Sequence, residues 1–174
     1  MPQSRLHAVF LILLIVIFPY FLSVFAEEGK TTTAPKFSLK TMTGENYELS
    51  QNLGNGPIII NFWATWCAPC ILEMKNMKKI FEKYSPQGLQ MLSISIDDNK
   101  TQAQIPGVVR SYTFPYTILL DGNKDVYKEL HVTNVPQLFI LDSRGKIVYN
   151  HLGYQRGDEK TVEKIVSGLV TEKK

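Results

Sequence analysis

The chain has 174 residues, 44% of them hydrophobic and 20% charged, which is ordinary for a folded protein and enough for one domain with a real core. Its formal net charge of +3 is mild and spread out, so nothing points to nucleic acid. It has only two cysteines and three scattered histidines, His7, His131 and His151, which leaves any structural zinc site short of ligands and predicts no metal or cofactor.

Arg5 is the only charged side chain before Glu27, and Leu6–Ala26 is almost entirely apolar, broken by His7, Pro19 and Ser23. Val24-Phe25-Ala26 puts small residues where a signal peptidase reads, and Glu27-Glu28 follows. Residues 1–26 therefore read as a secretory signal peptide. The run is also about the ~20 apolar residues a bilayer span needs, so an uncleaved membrane anchor is the alternative. A buried core helix fits poorly, because the segment has no polar face. Either route places the cysteines outside the cytoplasm, where disulfides persist. Residues 27–35 are polar and unpatterned and read as a tether, with a single domain expected over 36–174.

Lys36–Lys40 and Asn46–Leu49 flank Thr43-Gly44-Glu45 as a short hairpin. Gln51–Pro57 reads as a loop. Ile58–Ala64 is continuously apolar apart from Asn61, as a central strand buried on both faces should be. A helix is expected over Cys67–Tyr84, with Cys70, Met74, Met77, Phe81 and Tyr84 as its buried stripe and Lys75, Lys78, Lys79 and Lys83 on its solvated face. Leu89–Ile96 reads as a strand ended by Asp97-Asp98-Asn99. Thr101–Tyr112 reads as a helix interrupted at Pro106-Gly107. Thr117–Leu120 is a short strand and Asn123–Leu130 a short helix, with His131 at its end on the surface. Gln137–Leu141 and Lys146–His151 form a hairpin, and Asp158 can cap a last helix with Val162, Ile165, Val166 and Leu169 on one face. Strands alternating with helices, then a hairpin and a closing helix, argue an α/β sandwich around a mixed sheet.

The chemistry concentrates at Trp66-Cys67-Ala68-Pro69-Cys70. Two thiols at this spacing, on a strand-to-helix corner, can close into a disulfide and reopen. Cys67 falls at a helix start, where free N–H groups and the helix dipole favour a thiolate, the nucleophilic form. Cys70 lies one turn further on, more buried and within reach to resolve a mixed disulfide. Pro69 suits the first turn, where its missing N–H costs nothing. Half of a zinc site, or an inert bridge across a loop too short to constrain the unfolded chain much, are the competing readings.

Asn61-Phe62-Trp63-Ala64-Thr65-Trp66-Cys67-Ala68-Pro69-Cys70 and the later Val135-Pro136 resemble the thioredoxin superfamily, in its TlpA/ResA-like branch of thiol–disulfide oxidoreductases. The N-terminal apolar segment, the hairpin at Phe37–Leu49, the insertion at Gln104–Pro115 and Glu73 all have counterparts there. The resemblance implies a thioredoxin-like three-layer sandwich with an added N-terminal β-hairpin. It also implies that Pro136 is cis and faces the disulfide, presenting the Val135 backbone to an extended substrate chain. Trp66 would flank the active sulfur, and Trp66, Pro69, Val135 and Pro136 are the expected substrate contacts. Asn61 stands where cytosolic thioredoxins carry a buried aspartate. Glu73 lies on the buried stripe, and a carboxyl in apolar surroundings holds its proton tightly enough to serve as acid or base. Glu73 is therefore the expected proton shuttle for Cys70, against the plainer reading of a core-edge glutamate. Tyr112, Phe114 and Tyr116 could line a groove but are better explained as packing.

The expected function is reduction or exchange of disulfides in extracytoplasmic partner proteins by a monomer. Cys67 attacks, Cys70 resolves, and a membrane-bound thiol donor recharges the pair. By family analogy, an apocytochrome c is a possible substrate. Three alternatives stand beside it: a disulfide oxidase on the same fold; a peroxiredoxin-type peroxidase, which wants a threonine where Ala64 stands; and a copper carrier, which uses a wider cysteine spacing.

Overall fold

The computed structural model describes residues 32–171, so the signal peptide or anchor expected at 1–26 and the first part of the expected tether lie outside them. The described chain runs β1 (Ser38–Thr41), β2 (Asn46–Glu48), α1 (Leu49–Asn52), β3 (Ile58–Trp63), α2 (Ala68–Tyr84), β4 (Gln90–Ser95), α3 (Ile105–Tyr112), β5 (Thr117–Leu120), α4 (Asp125–Glu129), β6 (Gln137–Leu141), β7 (Ile147–Leu152) and α5 (Asp158–Thr171).

The seven strands form one mixed sheet in the order β2-β1-β5-β4-β3-β6-β7. β3 pairs in parallel with β4, and β4 with β5, while β6, β7 and the β1–β2 hairpin join antiparallel. Every residue of β3 is buried, which is why its sequence is a continuous apolar run rather than an alternating one. The register sorts the two faces. Phe62 meets Tyr127 of α4 and Phe139 edge-on, with ring centroids 5.9 and 6.2 Å apart. On the opposite face Asn61 lies level with Ser93, Leu138 and, one strand further, His151. His151 bonds Asp158 of α5, and α5 packs on α2, so both helices cover the Asn61 face. The result is the thioredoxin-like α/β three-layer arrangement with the added hairpin.

Several elements differ from the sequence expectation for local reasons. Thr33 bridges Lys146, the Ala34 N–H donates to Gly145 O at 2.9 Å and the Ile147 N–H to Thr32 O at 2.9 Å. The compact unit therefore begins at Thr32, within the segment expected to be a tether. β2 stops at Glu48, because Leu49 turns inward, buried, to start α1. Pro106 does not interrupt α3. It occupies the first turn, after a 3-10 turn at Gln102–Gln104, where no N–H is needed. On α2, Ile80 takes the inner position, and Phe81 packs half-buried against Tyr116 with ring centroids 5.4 Å apart. α5 buries Val162, Val166 and Val170, with Ile165 and Leu169 half-buried beside them. Gly56 and Gly88 cross so closely that a Cβ on Gly88 would lie 2.2 Å from Asn55 O, and both have positive φ. That crossing lets the loop before β3 pass under the turn before β4.

Candidate active site

β3 ends at Trp63 and α2 begins at Ala68. The Cys67 N–H donates to Ala64 O at 3.1 Å, closing the corner as a four-residue turn. Cys67 is then the N-cap of α2, with extended backbone, and Pro69 sits in the first turn. The helix start is set by sequence: proline is favoured there and the apolar stripe begins at Cys70.

Cys67 and Cys70 are joined by a disulfide, with Cα atoms 5.3 Å apart. The Cys70 N–H points at Cys67 Sγ, 3.3 Å away. That donor, with the helix dipole behind it, stabilises negative charge on this sulfur when the bond is opened. Cys67 is 5% exposed and Cys70 fully buried, so of the two residues only the first reaches the surface. Trp66 is 62% exposed, and Ala68, Pro69 and Leu72 are exposed as well.

The Val135–Pro136 peptide is cis. Pro136 directly precedes β6, whose Gln137 pairs with Phe62 near the end of β3, so it lies at the same end of the sheet as the cysteines. Pro136 is buried and its carbonyl accepts from the Gly153 N–H at 2.8 Å. Val135 is half-buried and its N–H donates to Asn134 Oδ1 at 2.9 Å, so an incoming strand that uses that N–H must displace the Asn134 side chain.

Glu73 is 2% exposed on α2, and its Oε2 has no hydrogen-bond partner. Burial pushes its carboxyl up to about 8, and the Asp158 carboxylate adds to the rise. Burial holds the Tyr116 and Tyr149 hydroxyls protonated, and the Glu73 carboxyl adds a little to both. Asn61 accepts from Ser93 Oγ at 2.7 Å while its own Nδ2 is unpaired, as is Trp63 Nε1 on the same face. Asp158 accepts from the Gln155 N–H at 2.7 Å and pairs with His151 Nε2 at 3.1 Å instead of capping N–H groups inside α5.

Two buried aspartates were not singled out by sequence. Asp97 accepts from the Thr65 N–H at 2.9 Å, from Thr65 Oγ1 at 2.6 Å and from Ser95 Oγ at 2.8 Å, and so reaches the active-site turn directly. The Asp121 carboxylate accepts three N–H groups at the start of α4. Both sit just past strands that run parallel beside or near β3, a position that the strand alignment alone could have flagged. The aromatic trio packs: Phe114 and Tyr116 are buried and stacked 5.7 Å apart, and Lys75 Nζ lies 4.2 Å above the outer Tyr112 ring. Among the described residues no cluster of three or more His, Cys, Asp or Glu could hold a metal ion, and no helix is long and apolar enough to cross a membrane.

The family model described as AhpC/TSA matches residues 31–150. The thiol-disulfide oxidoreductase ResA of Bacillus cereus is 30% identical over 166 residues, covering 91% of this chain and 94% of the relative. The thioredoxin-like protein YneN of Bacillus subtilis is 35% identical over 128 residues, 73% of this chain and 72% of that one. In fold, the chain superposes on the crystal structure of a candidate thiol:disulfide interchange protein DsbE from Chlorobium tepidum with a TM-score of 0.74 at 24% identity, covering 81% of this chain and 97% of that one. With a disulfide closed across a helix tip at the end of the central strand, the chain belongs to the AhpC/TSA family, and within it to the thioredoxin-like thiol–disulfide oxidoreductases.

Proposed function

We propose that this protein works outside the cytoplasm as a reductase of disulfides in partner proteins. The Cys67 thiolate attacks one sulfur of the partner's disulfide, forming a mixed disulfide and releasing the other partner sulfur as a thiolate that takes up a proton. Cys70, deprotonated by Glu73, then attacks Cys67 Sγ, which frees the partner dithiol and leaves the Cys67–Cys70 bond. Each turnover moves two electrons to the partner, and a membrane-bound thiol donor returns them. Trp66, Pro69, Val135 and Pro136 form the contact surface for the partner's extended chain. The export pattern at Leu6–Ala26 supports the location, and the same segment holds the protein to the membrane if it is not cut. The resemblance to the TlpA/ResA-like branch supports an apocytochrome c, whose haem-attachment cysteines must stay reduced, as the substrate.

The observation that carries this reading is the asymmetry of the pair. The cysteine that keeps some exposure is also the one whose sulfur receives a backbone N–H, while its partner is fully buried. The test is a Cys70→Ser variant offered an oxidised partner such as insulin. A mixed disulfide trapped through Cys67 is expected, with no turnover. Absence of any adduct, or full insulin reduction by a Cys67→Ser, Cys70→Ser double variant, overturns the reading. The reduction potential of the pair fixes direction: a strongly reducing value is expected, and a value near that of a strong oxidant such as DsbA would make the protein an oxidase.

A further inference from the structure

We infer that Asp97 is a positioning residue for Cys67, fixing the active-site turn through Thr65 and restraining the build-up of negative charge on the reactive sulfur. The inference rests on Cys67 being the attacking sulfur. The turn Ala64–Cys67 has one internal hydrogen bond, from the Cys67 N–H to Ala64 O. Its second residue, Thr65, is gripped twice, both N–H and Oγ1 donating to the Asp97 carboxylate at 2.9 and 2.6 Å. The grip is built from below. Ser95 Oγ donates to Asp97 Oδ2 at 2.8 Å and accepts the Asp97 N–H at 3.1 Å. The Ile96 N–H donates to Trp63 O at 2.9 Å, joining the strand that carries Asp97 to the strand that carries the turn. A side chain on Gly122 would come within 3.1 Å of Asp97 O, so the backbone is hemmed in from the β5 side as well.

Asp97 is 2% exposed, and its three side-chain bonds all come from neutral donors, with none from a cation. A carboxylate held this way is bonded to Thr65, two residues before Cys67 in the same turn, and is screened little by solvent, so it opposes a second negative charge on Cys67 Sγ. The Cys70 N–H and helix dipole favour the thiolate, and Asp97 offsets them. A less stabilised thiolate makes the dithiol form less favourable and the pair more reducing.

The test compares the full-length parent with Asp97→Asn and Thr65→Val in the reduced state, reading the pH dependence of iodoacetamide alkylation at Cys67 and the equilibrium with glutathione. Asp97→Asn keeps the shape and removes the charge. It is expected to raise the thiolate fraction at neutral pH on the order of tenfold and so shift the potential upward by as much as about 30 mV. Thr65→Val keeps the charge but deletes one of its donors, and is expected to move the alkylation midpoint the other way, to higher pH. A purely structural role would loosen both variants in the same direction or leave both profiles within twofold of the parent, and either result overturns the inference. Should Asp97→Asn fail to fold, the upward shift in Thr65→Val supports the inference and an unmoved midpoint overturns it. Alkylation of Cys70 ahead of Cys67 in the parent would overturn the underlying exchange reading itself, which keeps the two failures apart.

Discussion

Replacing Glu73 by Gln should flatten one part of the protein's stability–pH curve. The folded carboxyl titrates near 8, against 4.5 for the free group, because it is buried without a partner on Oε2 and faces the Asp158 carboxylate. Below 4.5 both folded and unfolded chains carry the proton. Between 4.5 and 8 only the folded chain keeps it, so the unfolded state binds fewer protons and stability falls as pH rises. The 3.5-unit gap corresponds to at most on the order of 5 kcal/mol across that window, reduced by whatever relaxation admits water to the ionised group. The groups that face Glu73 are Asp158 at the start of α5, Tyr149 on β7 and Tyr116 ahead of β5, and both tyrosines stay neutral through the window. Urea unfolding of the oxidised protein at pH 5, 7 and 9 measures the effect, with Asp158→Asn as a partial control that should lower the pH at which the decline ends and shrink its size. Glu73→Gln is expected to match the parent near pH 5 within about 1 kcal/mol and to exceed it clearly at pH 9. Equal slopes in parent and variant would refute the reasoning, and with it the idea that α2 delivers a neutral acid beneath the cysteines.

Other perturbations separate the surface from the scaffold. Trp66→Ala should leave unfolding free energy within about 0.5 kcal/mol of the parent, since the ring is 62% exposed, yet slow insulin reduction several-fold; an unchanged rate removes Trp66 from the contact surface. Gly88→Ala forces a side chain into a backbone with φ of 96° and within 2.2 Å of Asn55 O, and should cost roughly 2–4 kcal/mol in urea titration. A loss under 1 kcal/mol would mean the crossing with Gly56 is not tight. Hydrogen peroxide should not be consumed beyond the level of the cysteine-free variant, because Ala64 stands where peroxidase chemistry wants a threonine hydroxyl; steady thiol-dependent peroxide turnover would reverse that.

The sheet and the cysteine corner were legible because their signals are local and redundant. A continuous apolar run marks β3, proline marks the first turn of α2, and a period of three to four marks its inner face. Glu73 was legible by the same period, as a charged residue on the apolar side. Three features escaped because they depend on partners far away in sequence. Pro106 reads as a breaker until the preceding 3-10 turn shows that it starts the helix. Thr32–Ala34 carries no pattern of its own and is ordered by the turn at Gly145–Ile147. Asp97 looks like the polar end of a strand, and its reach to Thr65 appears only once β4 is laid in register beside β3. Ile80 takes the inner place expected of Phe81 for a related reason: both fit the helical period, and the Phe81 ring packs sideways on Tyr116.

The rims of the sheet bear on how the protein behaves at high concentration. One rim is the three-residue strand Asn46–Glu48, with the polar Asn46 and Glu48 exposed, and the other is occupied at Lys146–Ile147 by the incoming chain. The first is too short to template a foreign strand, and the second is blocked at its start by the incoming chain. A chain trimmed to begin at Lys36 would bare the second rim, and clumping of such a shortened protein would trace to those few missing residues rather than to its sulfur chemistry.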